Sequence, residues 1–171
     1  MFNSAIPDLI SEDIFRFGPG DRYALPIGTA APDALALSQM AEKCLTRHER
    51  LLVICADPLD AVRLGQEIPW FSPELGVRSL PDWETLPYDV LSPQEDIVSE
   101  RLETLYRMTS GTKGLDVVIA SAVTAAQRMA PVAYVGANTF FFRPGDTLSV
   151  EGLRSNLAAA GYAGGKQVLA A

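Results

Sequence analysis

The chain has 171 residues and a formal net charge of -7, and 48% of its residues are apolar. This length is enough for one folded domain with a small additional piece, since domains commonly hold about 100 to 150 residues. The acidic balance, with 14 basic residues scattered along the chain, disfavours a surface that follows nucleic-acid phosphates. No apolar run approaches the ~20 residues that cross a bilayer, and the start lacks the pattern of a signal peptide, so we expect a cytoplasmic protein.

Residues that bind metals or form disulfides are few. Cys44 and Cys55 are the two cysteines, and His48 is the single histidine. There is no CxxC pair, so the sequence predicts no metal site and favours buried, reduced thiols. His48 stands near a helix C-terminus, where a solvated histidine is the simplest interpretation.

The first half of the chain alternates predicted strands and helices. The sequence predicts a short apolar strand at 23–27, and Pro32 suits the first position of the helix predicted to follow it. The continuous apolar run 51–56 favours a strand buried on both faces, and Asp57 with Pro58 opens the next helix. Apolar residues recur at helical spacing in both helices, at Leu37, Met40, Ala41, Cys44 and Leu45, then at Ala61, Leu64, Gly65 and Ile68.

The alternation continues in the second half. Residues 76–80 and 115–120 are the next two predicted strands. The helix between them has a capping signal, with Ser92 as the cap, Pro93 at the first position and Glu95 reaching back. Its predicted apolar stripe consists of Val98, Leu102 and Leu105. Ser121 is placed to cap a last helix that continues to about Met129.

This order of elements predicts an α/β fold with a parallel sheet covered by helices on both faces. We assign residues 1–19 to an N-terminal lead and 20–133 to the α/β domain. Residues 134–171 follow a different sequence pattern, with a predicted strand at 138–143, a turn at 144–146 and a helix at 149–160. They read as the start of a small α+β domain, which we expect to be incomplete because the strand-like tail at 166–171 has no partner.

The turn between the first predicted strand and the first predicted helix is the candidate site for binding a phosphate. Gly28 and Thr29 precede the helix, but the turn has no second glycine and no lysine in the GxxxxGK[ST] pattern. Asp33 adds negative charge there. The sequence therefore predicts a degenerate P-loop that binds no cofactor.

Two other groups of residues have a structural interpretation beside a functional one. Asp57 follows an apolar strand, as a magnesium-binding carboxylate would, but a helix cap explains it better. The aromatic and acidic loop at 81–92 is interpreted as local core at Trp83, Leu86 and Tyr88 with solvated carboxylates around it. We expect no catalytic residues and no metal site.

Three consecutive aromatic residues occupy positions 140–142. Strict alternation is broken there, so at least one ring must point away from the main face. Such a ring would meet the remainder of its own domain or a partner protein.

Residues 80–97, with the sequence LPDWETLPYDVLSPQEDI, and the following RLETLY at 101–106 resemble the N-terminal region of bacterial transcription-repair coupling factors. The resemblance extends from about residue 24 to residue 168. It implies a module similar to the damage-recognition protein UvrB, whose first domain is RecA-like, with the ATP site lost. UvrB inserts a long aromatic hairpin for probing DNA at the position of residues 81–92, and this chain has none.

The family resemblance also implies partners. It implies a non-catalytic adaptor that recruits UvrA, while ATP, magnesium, RNA polymerase and DNA belong to other domains of the parent protein. The candidate contact residues on this chain are Phe140, Phe142, Arg143, Tyr162 and Ala163. Family members carry an arginine where this chain has Ala163, directly after Gly161 and Tyr162, so the UvrA interface is expected to be incomplete here.

Two alternatives remain open. One is a diverged nucleotide-binding α/β domain that still holds a phosphate at the Gly28 turn. The other is a module that packs against the remainder of its own chain and masks other surfaces. An unpaired strand edge near Phe140 or Val168 would also permit a homodimer.

Overall fold

The computed structural model describes residues 9–16, 18–24, 31–85, 94–111, 114–140, 142 and 144–160. Backbone contacts divide the chain into two compact units, Met1–Met129 and Ala130–Ala171. The domain boundary predicted from the sequence lies shortly after this division. Within the described ranges, no helix is long and apolar enough to cross a membrane.

The first unit contains a mixed succession of helices and strands. In chain order these are a short 3-10 helix Glu12–Arg16, α1 Ala31–Thr46, β1 Leu51–Cys55, α2 Pro58–Phe71, β2 Val77–Leu80, α3 Glu95–Thr109, β3 Val117–Ser121 and α4 Ala122–Ala126. The second unit contains α5 Val132–Asn138 and α6 Val150–Ala159.

The described strands form a parallel sheet in the order β1-β3-β2. Ile119 in the central strand lies opposite Val53 on one side and Ser79 on the other. Of the predicted first strand, residues 23 and 24 are irregular, and residues 25–27 lie outside the described part of the chain. The predicted α/β class with a parallel sheet flanked by helices is confirmed, in an arrangement consistent with a RecA-like fold.

Helices cover the two faces of this sheet with separate apolar clusters. The larger cluster joins α1 and α2 to the sheet through Ala41, Leu64, Ile68, Val117 and Ile119 among others. The smaller cluster packs Leu105 and Met108 of α3 against Leu80, Leu115, Val118 and Ala120. The central strand is therefore buried at every position, as burial on both faces requires.

The prediction that β1 is buried on both faces is wrong. Its exposure alternates, and Leu52 and Ile54 are each 54% exposed while Val53 and Cys55 are buried. The reason is that α1 and α2 cover one face of β1, whereas α3 covers the other face at β2 and β3. A continuous apolar run did not distinguish these two situations.

The predicted start of α2 is confirmed. Asp57 is its N-cap, and the Asp57 carboxylate accepts a hydrogen bond of 2.8 Å from the backbone N–H of Leu59. Pro58 occupies the first turn, and Ala61, Leu64 and Ile68 are buried as expected. Pro69 does not stop the helix, which continues to Phe71.

The predicted cap of α3 is wrong. The N-cap is Gln94, which makes no side-chain capping bond, and the first helical bond runs from the N–H of Val98 to the Gln94 carbonyl. Ser92 and Pro93 lie outside the described residues. Glu95 and Asp96 in the first turn stabilise this helix end through its dipole instead.

The start of α4 follows the prediction, because Ser121 accepts a 3.1 Å bond from the N–H of Thr124. The helix ends at Ala126, earlier than expected.

The predicted strand at 138–143 is wrong at the described positions. Asn138 ends α5, and residues 139, 140 and 142 are irregular. The side chains of Asn138 and Thr139 donate to the carbonyls of Tyr134 and Val135, at 2.8 and 2.7 Å. These bonds back onto the helix compete with an extended conformation. The predicted turn is present, since Gly145 has φ +99°, and Ser149 caps α6.

Candidate functional site

A cleft of about 630 Å³ lies at the carboxyl ends of β2 and β3. Leu80 and Ser121, the last residues of these strands, line it together with Pro58 and Ala61 from the start of α2. In open parallel α/β sheets, ligands bind in crevices outside the carboxyl ends of the strands. The cleft is therefore the first place at which to consider a bound molecule.

The cleft is acidic. Asp82, Glu84 and Glu100 line it, and its described lining contains no lysine or arginine. Ser121 and Thr124 contribute hydroxyl groups, but the Ser121 Oγ lies 3.0 Å from the Thr124 hydroxyl and accepts the Thr124 N–H. Anionic phosphates need cationic or N–H partners, so the described lining is poorly suited to a nucleotide.

A buried arginine lies beside the cleft. Arg101 of α3 is 2% exposed, and its guanidinium stacks over the Trp83 ring at 4.3 Å from the ring centroid. One of its terminal nitrogens donates to the carbonyl of Pro81, which lines the cleft. Burial lowers the pKa of Arg101, and the nearby Asp82 charge opposes this. α3 thus holds the loop after β2 through a cation–π contact and a hydrogen bond, both made by Arg101.

A second contact holds the same loop from α4. The Gln127 Nε2 donates to the Asp82 carboxylate at 2.6 Å, and the same carboxylate oxygen accepts the N–H of Trp83 at 2.7 Å. The Asp82 side chain therefore joins the loop after β2 to Gln127, the residue directly after α4.

Sequence reasoning missed Arg101. The predicted stripe of α3 was Val98, Leu102 and Leu105, whereas the fully buried positions are Arg101 and Thr104. Their spacing with Val98 is helical, so the signal was present, but polar residue types were not considered for the buried face. Trp83, interpreted from the sequence as local core, is partly buried, and its ring packs against the Arg101 guanidinium. Leu86 and Tyr88 lie outside the described residues.

Asp33 is placed by the structure in an ion pair. Both of its carboxylate oxygens bind the Arg63 guanidinium, at 3.1 and 2.8 Å, and so tie α1 to α2. The hydrogen bonds from Arg63 hold the pKa of Asp33 below its ordinary value, although burial opposes them. Gly28 and Thr29, the other members of the predicted degenerate P-loop, lie outside the described residues.

Two candidate contact residues of the second unit line a small hollow of about 240 Å³. Phe140 and Phe142 line it with Leu153 of α6, and Phe142 is 54% exposed. Arg143, Tyr162 and Ala163 lie outside the described residues. The structure therefore brings two of the five candidates together on one accessible apolar surface.

The cysteines have the predicted character. Cys44 and Cys55 are both buried and unpaired, and burial raises the pKa of each thiol. The described residues contain no group of three or more histidine, cysteine, aspartate or glutamate side chains that could hold a metal ion.

Fold and cleft together define an α/β module with a parallel sheet, an acidic cleft and a loop held by a buried arginine. No protein-family model matches the chain. It is 36% identical over 151 residues to the transcription-repair-coupling factor of Haemophilus influenzae (strain Rd), a match that covers 88% of this chain and 13% of that protein. The Escherichia coli K12 transcription-repair-coupling factor is 36% identical over 159 residues, covering 86% of this chain and 13% of the relative.

A shorter match, 30% identical over 80 residues, joins the chain to the transcription-repair-coupling factor of Rickettsia bellii. The chain belongs to the family of bacterial transcription-repair-coupling factors. It spans about one eighth of the length of the relatives with the longest matches, as the 13% coverage shows.

Proposed function

We propose that this chain is the N-terminal, non-catalytic adaptor region of a transcription-repair-coupling factor and that it helps to recruit UvrA during nucleotide excision repair. The observation that carries the proposal is the 36% identity to two such factors over most of this chain. In this proposal, other domains of the parent protein hydrolyse ATP with magnesium, move along DNA and displace stalled RNA polymerase. The chain itself needs no cofactor and no metal.

The charges of the first unit support a non-catalytic role. At the predicted P-loop turn, the Asp33 carboxylate already binds the guanidinium of Arg63, and the cleft presents Asp82, Glu84 and Glu100. A phosphate group entering either place would meet carboxylates. We therefore expect millimolar Mg-ATP to leave the melting temperature unchanged, because a ligand that binds the native state must raise it. A rise that saturates with ATP would favour the diverged nucleotide-binding domain instead.

The second unit supplies the surface that suits a protein partner. Val132, Tyr134, Phe142 and Val150 are 54 to 73% exposed. Interfaces are enriched in aromatic residues, and a few such anchors carry most of the binding free energy. UvrA is the proposed partner for this surface. The remainder of the parent chain, or a second copy of this chain, would compete for it.

Calorimetric titration of UvrA into this chain tests the proposal, with the full-length Escherichia coli factor titrated in parallel. Phe142→Ala should weaken binding by about tenfold, the loss of ~1.4 kcal/mol that is typical of an aromatic anchor. Leu59→Ala is the matched control, because Leu59 is 76% exposed on α2 of the first unit and should leave the affinity unchanged.

Binding by the full-length factor alone would locate the UvrA surface outside this chain. No binding by either protein would reject recruitment. Light scattering at increasing concentration examines the competing homodimer, which predicts a rise in mass that Phe142→Ala reduces.

A further inference from the structure

The loop that follows β2 forms one wall of the cleft. We call residues 81–85 the strap. Pro81, Asp82 and Glu84 of the strap line the cleft, opposite residues of α2 such as Val62 and Gln66. Any change in the position of the strap therefore changes the width of the cleft.

Two side chains hold the strap closed, and they come from different helical elements. Arg101 of α3 stacks on Trp83 and donates to the Pro81 carbonyl. Gln127, directly after α4, donates to Asp82 at 2.6 Å. Cation–π pairs strengthen when they are desolvated, and hydrogen bonds to charged groups are stronger than those between neutral groups.

The same two side chains carry unfavourable features. In the described part of the chain, the buried side-chain nitrogen and oxygen atoms without a hydrogen-bond partner are Arg101 Nε and Gln127 Oε1. Leaving such atoms unpaired is costly, because they lose water without gaining a partner. Within the strap, Glu84 adopts φ 57°, a left-handed conformation that costs free energy for a residue other than glycine.

Among the described residues, the three strands of the sheet have no buried side-chain atom without a hydrogen-bond partner and no residue other than glycine with positive φ. β3 is buried along its whole length and pairs with both neighbouring strands. The Thr104 hydroxyl of α3 donates to the Ser79 carbonyl within β2. Favourable contacts therefore stabilise the whole sheet. At the strap, the favourable contacts of Arg101 and Gln127 are opposed by the unpaired atoms of the same two side chains.

We propose that the strap is a latched, movable wall of the cleft, which Arg101 and Gln127 hold closed and which opens while the sheet remains folded. Segments that open locally are those in which few favourable contacts must be broken. Opening frees Asp82 from Gln127, exposes Trp83 and changes the width of the cleft.

Trp83 itself reports on this motion. The chain has two tryptophans, and Trp70 is 77% exposed, so Trp70→Phe gives a protein in which the emission comes from Trp83 alone. In this protein, increasing urea should raise acrylamide quenching of Trp83 before the far-ultraviolet circular dichroism of the sheet and helices changes. A single coincident transition for both signals would overturn the proposal.

Gln127→Glu should loosen the latch. It places a second carboxylate against Asp82, and like charges at hydrogen-bond distance repel. In the Trp70→Phe protein, we expect Trp83 to lose its protection from acrylamide without urea, while circular dichroism still shows the folded sheet. Gln66→Glu is the matched control, since it adds the same charge at an exposed position across the cleft and should leave quenching unchanged.

Unchanged quenching in Gln127→Glu, or an equal increase in both variants, would overturn the proposal. Arg101→Met examines the other contact without changing Asp82. It keeps an unbranched side chain against Trp83, removes the buried unpaired nitrogen and loses the bond to the Pro81 carbonyl. We expect more quenching of Trp83 in a protein that keeps its circular dichroism, and quenching equal to that of the Trp70→Phe parent would show that Arg101 does not hold the strap.

Discussion

The two units of the chain differ in how they use apolar residues. In the first unit, Ile68, Val117 and Ile119 are completely buried between the sheet and its helices. In the described part of the second unit, Val135 is the single buried apolar residue, and α6 has no buried residue at all. Tyr134 and Val150 are 57% and 73% exposed.

This difference follows from the elements available to each unit. α1 and α2 have 16 and 14 residues and lie on a parallel sheet. α5 and α6 have 7 and 10 residues, below the roughly 12 to 15 at which an isolated helix becomes even marginally stable. The first unit can therefore act as a scaffold on its own core. In the described part of the second unit, the apolar side chains of α5 and α6 are instead mostly exposed, as the proposed protein interface requires.

The sharpest test of this comparison removes one buried side chain from each unit. Ile68→Ala should lower the free energy of unfolding by about 4 kcal/mol, because Ile68 is fully buried and a cavity remains. Val135→Ala should leave the urea transition of the first unit unchanged, since Val135 belongs to the other compact unit. Both are measured by urea unfolding, with the W70F protein used to follow Trp83. Equal losses would show that the two units unfold as one.

Gly76→Ala should break the scaffold at the start of β2. A Cβ atom on Gly76 would lie 2.1 Å from the Gly114 carbonyl oxygen, which belongs to the backbone and cannot move aside cheaply. The Gly76 carbonyl also accepts the N–H groups of Asp116 and Val117, at 2.8 and 3.1 Å. We expect a loss of about 3 kcal/mol, as for a strongly overpacked core position.

Gly136→Ala in α5 is the contrasting substitution. Nothing lies within 4 Å of its added Cβ atom, and alanine favours a helix over glycine by roughly 1 kcal/mol. The urea unfolding transition of the first unit in Gly136→Ala should match that of the unsubstituted protein. If Gly76→Ala is also tolerated, the close approach of Gly76 and Gly114 does not fix the sheet.

Much of the first unit was predictable because its signals are local. Asp57 with Pro58, and Ser121 before an apolar run, mark helix starts through short-range hydrogen bonds that the structure shows. The strands are short apolar runs between such signals. The sequence did not predict how many faces of each strand are covered by helices. Leu52 and Ile54 are exposed because, in the described residues, no helix covers that face of β1.

The cleft depends on contacts between residues far apart in the chain. Arg101 meets Pro81, 20 residues away, and also Trp83, while Gln127 meets Asp82, 45 residues away. The family motif contains Asp82, Trp83 and Arg101, but no periodicity shows that they touch. In the second unit, the aromatic run at 140–142 favoured a strand by composition. The side chains of Asn138 and Thr139 instead bond back to α5, a local competition that composition does not reveal.

Asp33→Asn should weaken the scaffold moderately and in a pH-dependent way. Arg63 holds the pKa of Asp33 below its ordinary value, so the pair stabilises the fold above the unfolded-state pKa of about 3.9 and this contribution is lost as the pH falls through the lower folded value. At pH 7 we expect a loss of about 1 kcal/mol, because the two side chains are 26% and 28% exposed.

The difference in the free energy of unfolding between the wild type and Asp33→Asn should shrink as the pH is lowered below the unfolded-state pKa of about 3.9. Urea unfolding from pH 7 to pH 3 measures it. Asp60→Asn is the control. Asp60 also contacts Arg63, at 3.2 Å, but it is 53% exposed and lies within α2, so it should cost less and should not report on the tie between α1 and α2. A difference for Asp33→Asn that is independent of pH would assign its effect to the helix end rather than to the ion pair.

The smallest expected effect is a gain at the end of α1. His48 has φ 60°, and the N–H groups of His48 and Glu49 bond the carbonyls of Leu45 and Cys44, both at 3.0 Å. This is the Schellman arrangement, in which the left-handed position usually belongs to glycine. His48→Gly should therefore raise the free energy of unfolding by less than about 1 kcal/mol, since the relief of left-handed strain exceeds the added freedom of the unfolded chain. His48→Ala keeps a Cβ atom and should give no gain in stability. Equal stability of the two variants in urea would mean that strain at this position is negligible and that relieving it cannot stabilise the first unit.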